Sequence, residues 1–360
     1  MVPAAFAFVW LALTLFTWNS IRAQRTYKEI EMKKIAVVGC TGAVGMTMLQ
    51  LLENTAYEVV CMASPRSAGK RLKVGDSEHL IEPFSVEGCA TCDIVFLCVS
   101  GAFALEYGER LAQSSYVIDN SSAFRYADHV PLLVPPINGQ RYAGEKLIAN
   151  PNCSSAIALM VLGPLHHEYQ LDSAIISTYQ AASGAGQPAM EALRERAKAF
   201  TDYGDHNGAE HFAHNLAFNV IPQVDSFEDN GYTREEMKVV WELRKVLGEP
   251  DLAISTTAVR VPTLRSHAEA LSLRFKQPIR SLARVRQLLS AAPGVEVVDA
   301  PEQGRYPMPM TSTYKHAVEV GRIRYNLIYK EHGLDLFISG DQLLRGAALN
   351  AFEIMQLIDD

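Results

Sequence analysis

Lys34-Ile35-Ala36-Val37-Val38-Gly39-Cys40-Thr41-Gly42-Ala43-Val44-Gly45-Met46 is the stretch whose reading decides the fold. Ile35 to Val38 is an unbroken apolar, largely β-branched run, the texture of a strand buried on both faces, as central parallel strands are. A glycine turn follows without a linker, and Met46 to Leu52 continues as an apolar helix. Strand, glycine turn and helix in that order are the context a dinucleotide fingerprint requires. The glycines let the backbone turn tightly and approach a pyrophosphate, and the helix N-terminus supplies N–H groups to bind it. Gly39, Thr41, Gly42, Ala43, Val44 and Gly45 are therefore the candidate cradle. The spacing is G-x-x-G-x-x-G, a variant of the usual pattern, and such a turn is sometimes only a turn.

Outward from it, Tyr57 to Met62 reads as the second strand. An enzyme using NAD places Asp or Glu just after this strand, to bind ribose hydroxyls. Here the chain reads Ala63-Ser64-Pro65-Arg66-Ser67-Ala68-Gly69-Lys70, with no carboxylate. Ser64, Arg66 and Ser67 suit an additional phosphate, which favours NADP(H). Asp93 to Val99 and Tyr116 to Asn120 supply two more strands, with an amphipathic helix around Phe103 to Ala112 between them. This rhythm predicts an α/β chain built on a Rossmann-type doubly wound parallel sheet. Arg125 follows the last of these strands at its carboxyl end, where such sheets bind ligands, and is a candidate anion clamp.

Composition sets the outer limits. A chain of 360 residues, 48% hydrophobic and 20% charged, is long enough for two globular domains. Forty acidic against 33 basic residues give a formal net charge of -7, which argues against a nucleic-acid binder. Six cysteines are too few for a disulfide scaffold at this length and suit a reduced, cytoplasmic protein. Cys89-Ala-Thr-Cys92 lacks a second pair or histidines at zinc spacing, so no metal site is expected. Val2 to Trp18 is uncharged and mostly apolar but lacks the basic residues that precede a signal core. Residues 1–31 are expected to be an upstream extension, with Met32 near the true start; a membrane anchor is the rival reading.

The texture changes at Asn150-Pro151-Asn152-Cys153-Ser154-Ser155. Pro151 biases Asn150 toward an extended conformation, and Ala156 to Leu162 reads as a buried helix stopping at Gly163-Pro164. Cys153 then falls at a helix N-terminus, where free N–H groups and the dipole favour a thiolate. Beyond it, Ala174 to Gln180, Ala217 to Pro222, Asp251 to Arg260 and Ala268 to Phe275 read as strands. Thr233-Arg-Glu-Glu236 is a capping box that opens a helix carrying Glu235 and Lys238 on one face. A second, α+β catalytic and dimerisation domain follows, giving boundaries at 32–152, 153–340 and a last helix, 341–360, that returns to the first domain.

Asn150-Pro-Asn-Cys153, Ser177-Thr-Tyr-Gln-Ala-Ala-Ser-Gly-Ala-Gly186, Phe218-Asn-Val-Ile-Pro-Gln223 and Arg260-Val-Pro…Ser266-His267 together resemble the aspartate-β-semialdehyde dehydrogenases, from Lys33 to Ile358. The resemblance implies Cys153 as nucleophile, His267 as acid/base and Gln180 as the residue positioning the thiohemiacetal. It implies Arg260 for the substrate carboxylate, Glu235 for its amine, and Arg125 and Lys238 for phosphate, with Asn152 and Ser183 lining the site. Gly184 and Gln342 would lie by the nicotinamide, Gln342 standing where the family is expected to carry asparagine. A homodimer or tetramer, NADPH dependence and a place in lysine, threonine and methionine biosynthesis are implied as well. N-acetyl-γ-glutamyl-phosphate reductase is the nearest rival. The Arg260/Glu235 pair argues against it, because a free amine wants a carboxylate and an acetylated one does not. A non-catalytic NADP-binding protein on this fold is the rival from another class.

Overall fold

The computed structural model describes residues 33–204 and 211–359. The expected N-terminal extension, 1–31, lies outside the described residues. Strand β1 (Lys34–Val38) is the centre of the first sheet, flanked in parallel by β2 (Glu58–Ala63) and, on its other side, by β5 (Ile94–Leu97). Before β5, the chain forms β3 (Arg71–Val74) and β4 (Ser77–Pro83), an edge hairpin in which β4 is parallel to β2 and β3 antiparallel to β4. After β5, β6 (Tyr116–Asp119) and β7 (Leu147–Ala149) extend the sheet, giving the order β3-β4-β2-β1-β5-β6-β7. The chain grows outward from β1 on one side and then crosses to the other. A crevice therefore opens at the carboxyl ends of β1 and β5, where doubly wound sheets take their ligands. Helices α1 (Ala43–Leu52) and α2 (Gly101–Leu111) cover the faces.

Helix α3 (Cys153–Tyr169) leads into the second sheet and is buried along most of its length. The expected stop at Gly163-Pro164 does not occur: the helix runs through Pro164 to Tyr169. An interior proline costs about 3 kcal/mol. Leu162, Leu165 and Tyr169, all buried, return roughly 1.5–3 kcal/mol each, so packing wins.

The second sheet is mixed. It comprises β8 (Leu171–Gln180), β9 (Ala253–Arg260), β10 (His267–Phe275), β11 (Val295–Val297), β12 (Val318–Asn326) and β13 (Lys330–Gly340), in the order β11-β12-β13-β10-β8-β9. Ala217 to Pro222 is not the strand expected; only Ile221 bridges to Arg260. Phe218 has φ +56° and Pro222 lacks an N–H, which together prevent a ladder. Helices α4 (Gln187–Tyr203), α5 (Arg234–Leu247) and α6 (Leu282–Ala291) punctuate this half. The last helix, α7 (Leu349–Asp359), returns to the first sheet and buries Ala351, Ile354 and Met355 with Ile35, Val37 and Met48. A single apolar core joins the two halves: Val38, Leu97 and Val117 share it with Ile157 and Leu162 of α3 and with Leu271 and Ile338 of the second sheet.

Candidate active site

Where the halves meet, the chain turns from β7 into α3 through Asn150-Pro151-Asn152. Asn150 is stitched on both sides: its Nδ2 donates to Asn120 Oδ1 (3.0 Å) and to the Ala347 carbonyl (3.1 Å), and its Oδ1 accepts from Asn350 Nδ2 (2.7 Å). Asn152 caps α3, its Oδ1 accepting from the N–H groups of Ser154 (2.9 Å) and Ser155 (3.3 Å). Its own N–H donates to Glu242 Oε2 at 2.5 Å and its Nδ2 to Glu235 Oε1 at 2.9 Å. Cys153 is thus the first residue of a helix whose entry is held on every side. Gly346 closes the remaining one: a Cβ there would lie 2.8 Å from Cys153 Cβ.

Facing α3 is the end of the second sheet. Gln180 pairs with Arg260 in the β8–β9 ladder, and His267 starts β10 one step beyond the Ala268–Tyr179 pair. The ladder thereby brings Arg260, Gln180 and His267 into one row. Gln180 Nε2 lies within reach of Ser154 Oγ (3.1 Å), Thr178 Oγ1 (3.3 Å) and Glu235 Oε1 (3.2 Å). Arg260 donates from Nη1 to the Ala181 carbonyl (2.8 Å). His267 Nδ1 accepts the Ala181 N–H (3.1 Å), which leaves the ring proton on Nε2; that nitrogen is buried without a partner among the described residues. Gly184 is packed on this pair, since a Cβ would meet Arg260 Nη1 at 2.8 Å and the His267 ring at 3.2 Å. Lys238 Nζ bridges Glu235 (3.2 Å) and Asp225 (2.7 Å). Next to this group is a cavity of about 560 Å³ lined by Arg260, Asp225, Gln223, Phe212 and Ala185.

The electrostatics depart from the sequence expectation at the cysteine. Burial, then the Glu235 carboxylate, push the Cys153 thiol up to about 12, outweighing Arg260, Arg125 and the Ser154 N–H. The helix start does not deliver a resting thiolate, because burial and Glu235 outweigh what its N–H groups, two of them shared with the Asn152 cap, contribute. Burial, reinforced by Arg260, holds His267 down at about 3, so the imidazole is neutral. One row behind, opposite Thr178, Glu269 is fully buried with both oxygens unpartnered among the described residues; burial and Glu235 raise its pKa well above the carboxylate range.

Arg125 is placed behind the site. Nε donates to the Asn150 carbonyl (2.8 Å), Nη2 to the Asn120 carbonyl (3.0 Å) and Nη1 to Glu242 Oε1 (3.1 Å). Ser183 and Gln342 are bonded to one another, and Gln342 Oε1 accepts the Ser266 N–H at 2.8 Å, which fixes the strand leading into His267. Arg265 forms an ion pair with Asp341 (2.7 Å) and lies over the Tyr314 ring (4.2 Å), so it braces the same corner. Sequence reasoning missed Glu242, Asp225 and Gly346. Asp225 lies two residues past the Phe218–Gln223 motif, Glu242, seven residues after Glu235 on α5, shares its helix face, and Gly346 had no local signal.

The glycine turn fits a dinucleotide. Gly39 has φ +85° and a Cβ there would lie 2.2 Å from the Cys98 carbonyl oxygen; at Gly45 it would lie 2.3 Å from that of Gly39. Gly42 caps α1 without a side-chain bond, so the first-turn N–H groups stay open. Thr41 and Ala43 line a cavity of about 970 Å³ whose far wall includes Thr263, Arg265 and Thr313. Ser64 and Arg66 are exposed just beyond β2, with Ser67 turned back onto Ser64 (N to O, 2.9 Å). Among the described residues no group of three or more His, Cys, Asp or Glu could hold a metal ion, and no helix is long and apolar enough to cross a membrane.

Residues 34–144 match the NAD binding domain of semialdehyde dehydrogenases, and residues 162–345 match their dimerisation domain. The aspartate-semialdehyde dehydrogenase of Aquifex aeolicus is 37% identical over 333 residues, covering 90% of this chain and 97% of that protein. That of Helicobacter pylori strain J99 is 39% identical over 341 residues, 89% of this chain and 96% of the relative. Among solved structures, aspartate semialdehyde dehydrogenase II from Vibrio cholerae, complexed with ASA, superposes with a TM-score of 0.85 at 32% identity, covering 91% of this chain and 98% of that one.

Proposed function

The chain belongs to the aspartate-semialdehyde dehydrogenase family of oxidoreductases, and we propose that it reduces L-aspartyl-4-phosphate to L-aspartate 4-semialdehyde with NADPH, through a thioester on Cys153. The observation that supports this route is the single cluster in which the helix bearing Cys153 faces Gln180, Arg260 and His267 across the end of the second sheet. Residues at the open N-terminus of α1, with Ser64, Arg66 and Ser67, would hold NADPH, which when bound would supply hydride. The absence of a carboxylate after β2 favours NADPH over NADH.

Cys153 sulfur attacks the acyl carbon; the C–S bond forms as the C–O bond to phosphate breaks, and the thiol proton leaves on the phosphate. Arg260 takes the substrate carboxylate with the N–H groups that Ala181 does not use, in the planar geometry that guanidinium favours. His267 presents Nε2–H to the tetrahedral oxygen. Its pKa is held down by burial and by Arg260. A bound carboxylate offsets Arg260 and a developing oxyanion faces the ring, so both raise that pKa and let the imidazole pass to the departing sulfur the one proton that the overall reduction draws from solvent. Gln180 and Asn152, tied together through Glu235, hold the sulfur's turn against the row. Arg125 and Lys238 supply the positive charge for phosphate.

The second half pairs with another copy of the chain. The match to a dimerisation domain supports this, as do the exposed Leu327 and Ile328 between β12 and β13 and Ile175 on the open face of β8. The test of the activity is NADPH formation from aspartate semialdehyde and phosphate, run beside N-acetylglutamate semialdehyde, which the rival reductase reading prefers. Cys153→Ala is expected to reduce turnover by roughly 10⁵-fold or more while NADP binding persists. Substantial turnover by that variant would sink the thioester route.

A further inference from the structure

We propose that Asp225 is the counter-ion Lys238 exchanges for the incoming phosphate, and that this exchange sets how tightly the site holds phosphate. The proposal rests on the reading of Lys238 as a phosphate ligand. Lys238 Nζ sits between two carboxylates, 2.7 Å from Asp225 Oδ2 and 3.2 Å from Glu235 Oε2. The two are not equivalent. Glu235 has a side chain only 7% exposed, and its other oxygen accepts from Asn152 and Gln180. Asp225 is 35% exposed and lines the wall of the 560 Å³ cavity beside Arg260. An ion pair open to water contributes little, whereas removing a partner from a buried one leaves a charge stranded. A dianion entering the cavity therefore displaces Asp225 and leaves Glu235 in place.

The loop holds Asp225 in position for this. Ile221 and Arg260 exchange backbone bonds (2.9 and 2.8 Å), Gln223 Nε2 donates to the Asp225 carbonyl (3.3 Å), and the Ser226 N–H donates to Asp225 Oδ1 (2.8 Å). Asp225 has φ +70°, a left-handed conformation that Asp and Asn tolerate. Two of the proposed anion-binding cations, Arg260 and Lys238, are consequently balanced unequally. Arg260 has no carboxylate partner among the described residues, while Lys238 has two. The substrate carboxylate meets an open guanidinium; phosphate meets a masked ammonium.

Initial rates of NADPH formation against inorganic phosphate, at saturating aspartate semialdehyde and NADP, test this. Asp225→Asn keeps an oxygen for the Ser226 N–H and tolerates the left-handed backbone, and Asp225→Ser is the second uncharged variant. Both should lower KM for phosphate roughly two- to fivefold, the factor an exposed ion pair is worth, and Asp225→Glu should restore the parental value. An unchanged or raised KM in the uncharged variants overturns the exchange and leaves Asp225 as a clamp on Lys238. A Lys238→Met enzyme with the parental KM for phosphate would instead overturn the reading of Lys238 on which the proposal stands.

Discussion

Two helices in this chain begin at its proposed ligand sites, and they begin differently. Helix α1 starts at Gly42 with no side-chain cap and no charge in its first turn. Helix α3 starts at Asn152, whose amide caps two N–H groups and whose own backbone N–H is taken by Glu242. The first leaves its dipole end for an anion that arrives from outside. The second shares its first N–H groups with its own cap, and burial, then Glu235, keep the residue set there, Cys153, a neutral thiol against them. A helix N-terminus thus makes a phosphate site when it is bare and a positioning device when it is capped. The proposed nucleophile, Cys153, therefore needs more than the helix start to become a thiolate.

Substitutions can separate the two ends. Gly45→Ala should have the largest effect: the new Cβ would lie 2.3 Å from the Gly39 carbonyl, a backbone atom that cannot give way. Cofactor affinity is expected to fall by about 100-fold or more, read by NADPH fluorescence titration. Alkylation of Cys153 should be unaffected in that variant; if it changes in parallel, the two ends are not independent. At the capped end, iodoacetamide modification of Cys153, followed by peptide mapping, should accelerate with pH through pH 9 without a plateau, as a thiol pushed up to about 12 requires. Asn152→Ala frees the Ser154 and Ser155 N–H groups for the sulfur. It should draw that profile down by about one pH unit while costing about 1 kcal/mol of stability as a lost cap.

A third effect, read in the pH dependence of stability, concerns His267. Its folded pKa, about 3, lies below the unfolded value of about 6.5, so between these pH values the unfolded chain holds a proton that the folded chain does not. The stability tied to this neutral histidine is complete above pH 6.5 and is lost as the pH falls toward 3, at up to about 1.4 kcal/mol per pH unit. His267→Gln should flatten the acid limb of the stability curve by that one proton, measured by urea unfolding from pH 7 to pH 4. An identical slope in parent and variant would show that His267 is protonated in the folded state.

What was legible in the chain was what is local. The strands around Gly39 to Gly45 announce themselves through unbroken apolar runs, and the glycines through their spacing. Cys153, Gln180, Arg260 and His267 were reachable because short motifs carry them. Gly346, Glu242 and Asp225 were not, because each acquires its meaning from a contact with a residue far away in sequence, such as Glu242 with Asn152. The continuation of α3 past Pro164 depends on apolar neighbours from both halves of the molecule, which no local signal reports. The protonation of Cys153 was misjudged for a related reason: a helix start can be read from spacing, whereas desolvation is a sum over the assembled fold. Arg265 likewise takes its role from Asp341 and Tyr314, both distant in sequence.

The contact between Gly346 and Cys153, with the neighbouring bonds from Asn150 to Ala347 and Asn350, has a consequence for how the protein is made. Every proposed catalytic side chain has been synthesised by His267, yet the back wall of the cysteine's turn is built from Gly346, Ala347 and Asn350, some eighty residues later. A nascent chain still threaded in the ribosome with residues 340–360 inside the tunnel carries the full chemistry without the site. Emergence of Gly346 to Asn350 is therefore the step that closes the turn around Cys153.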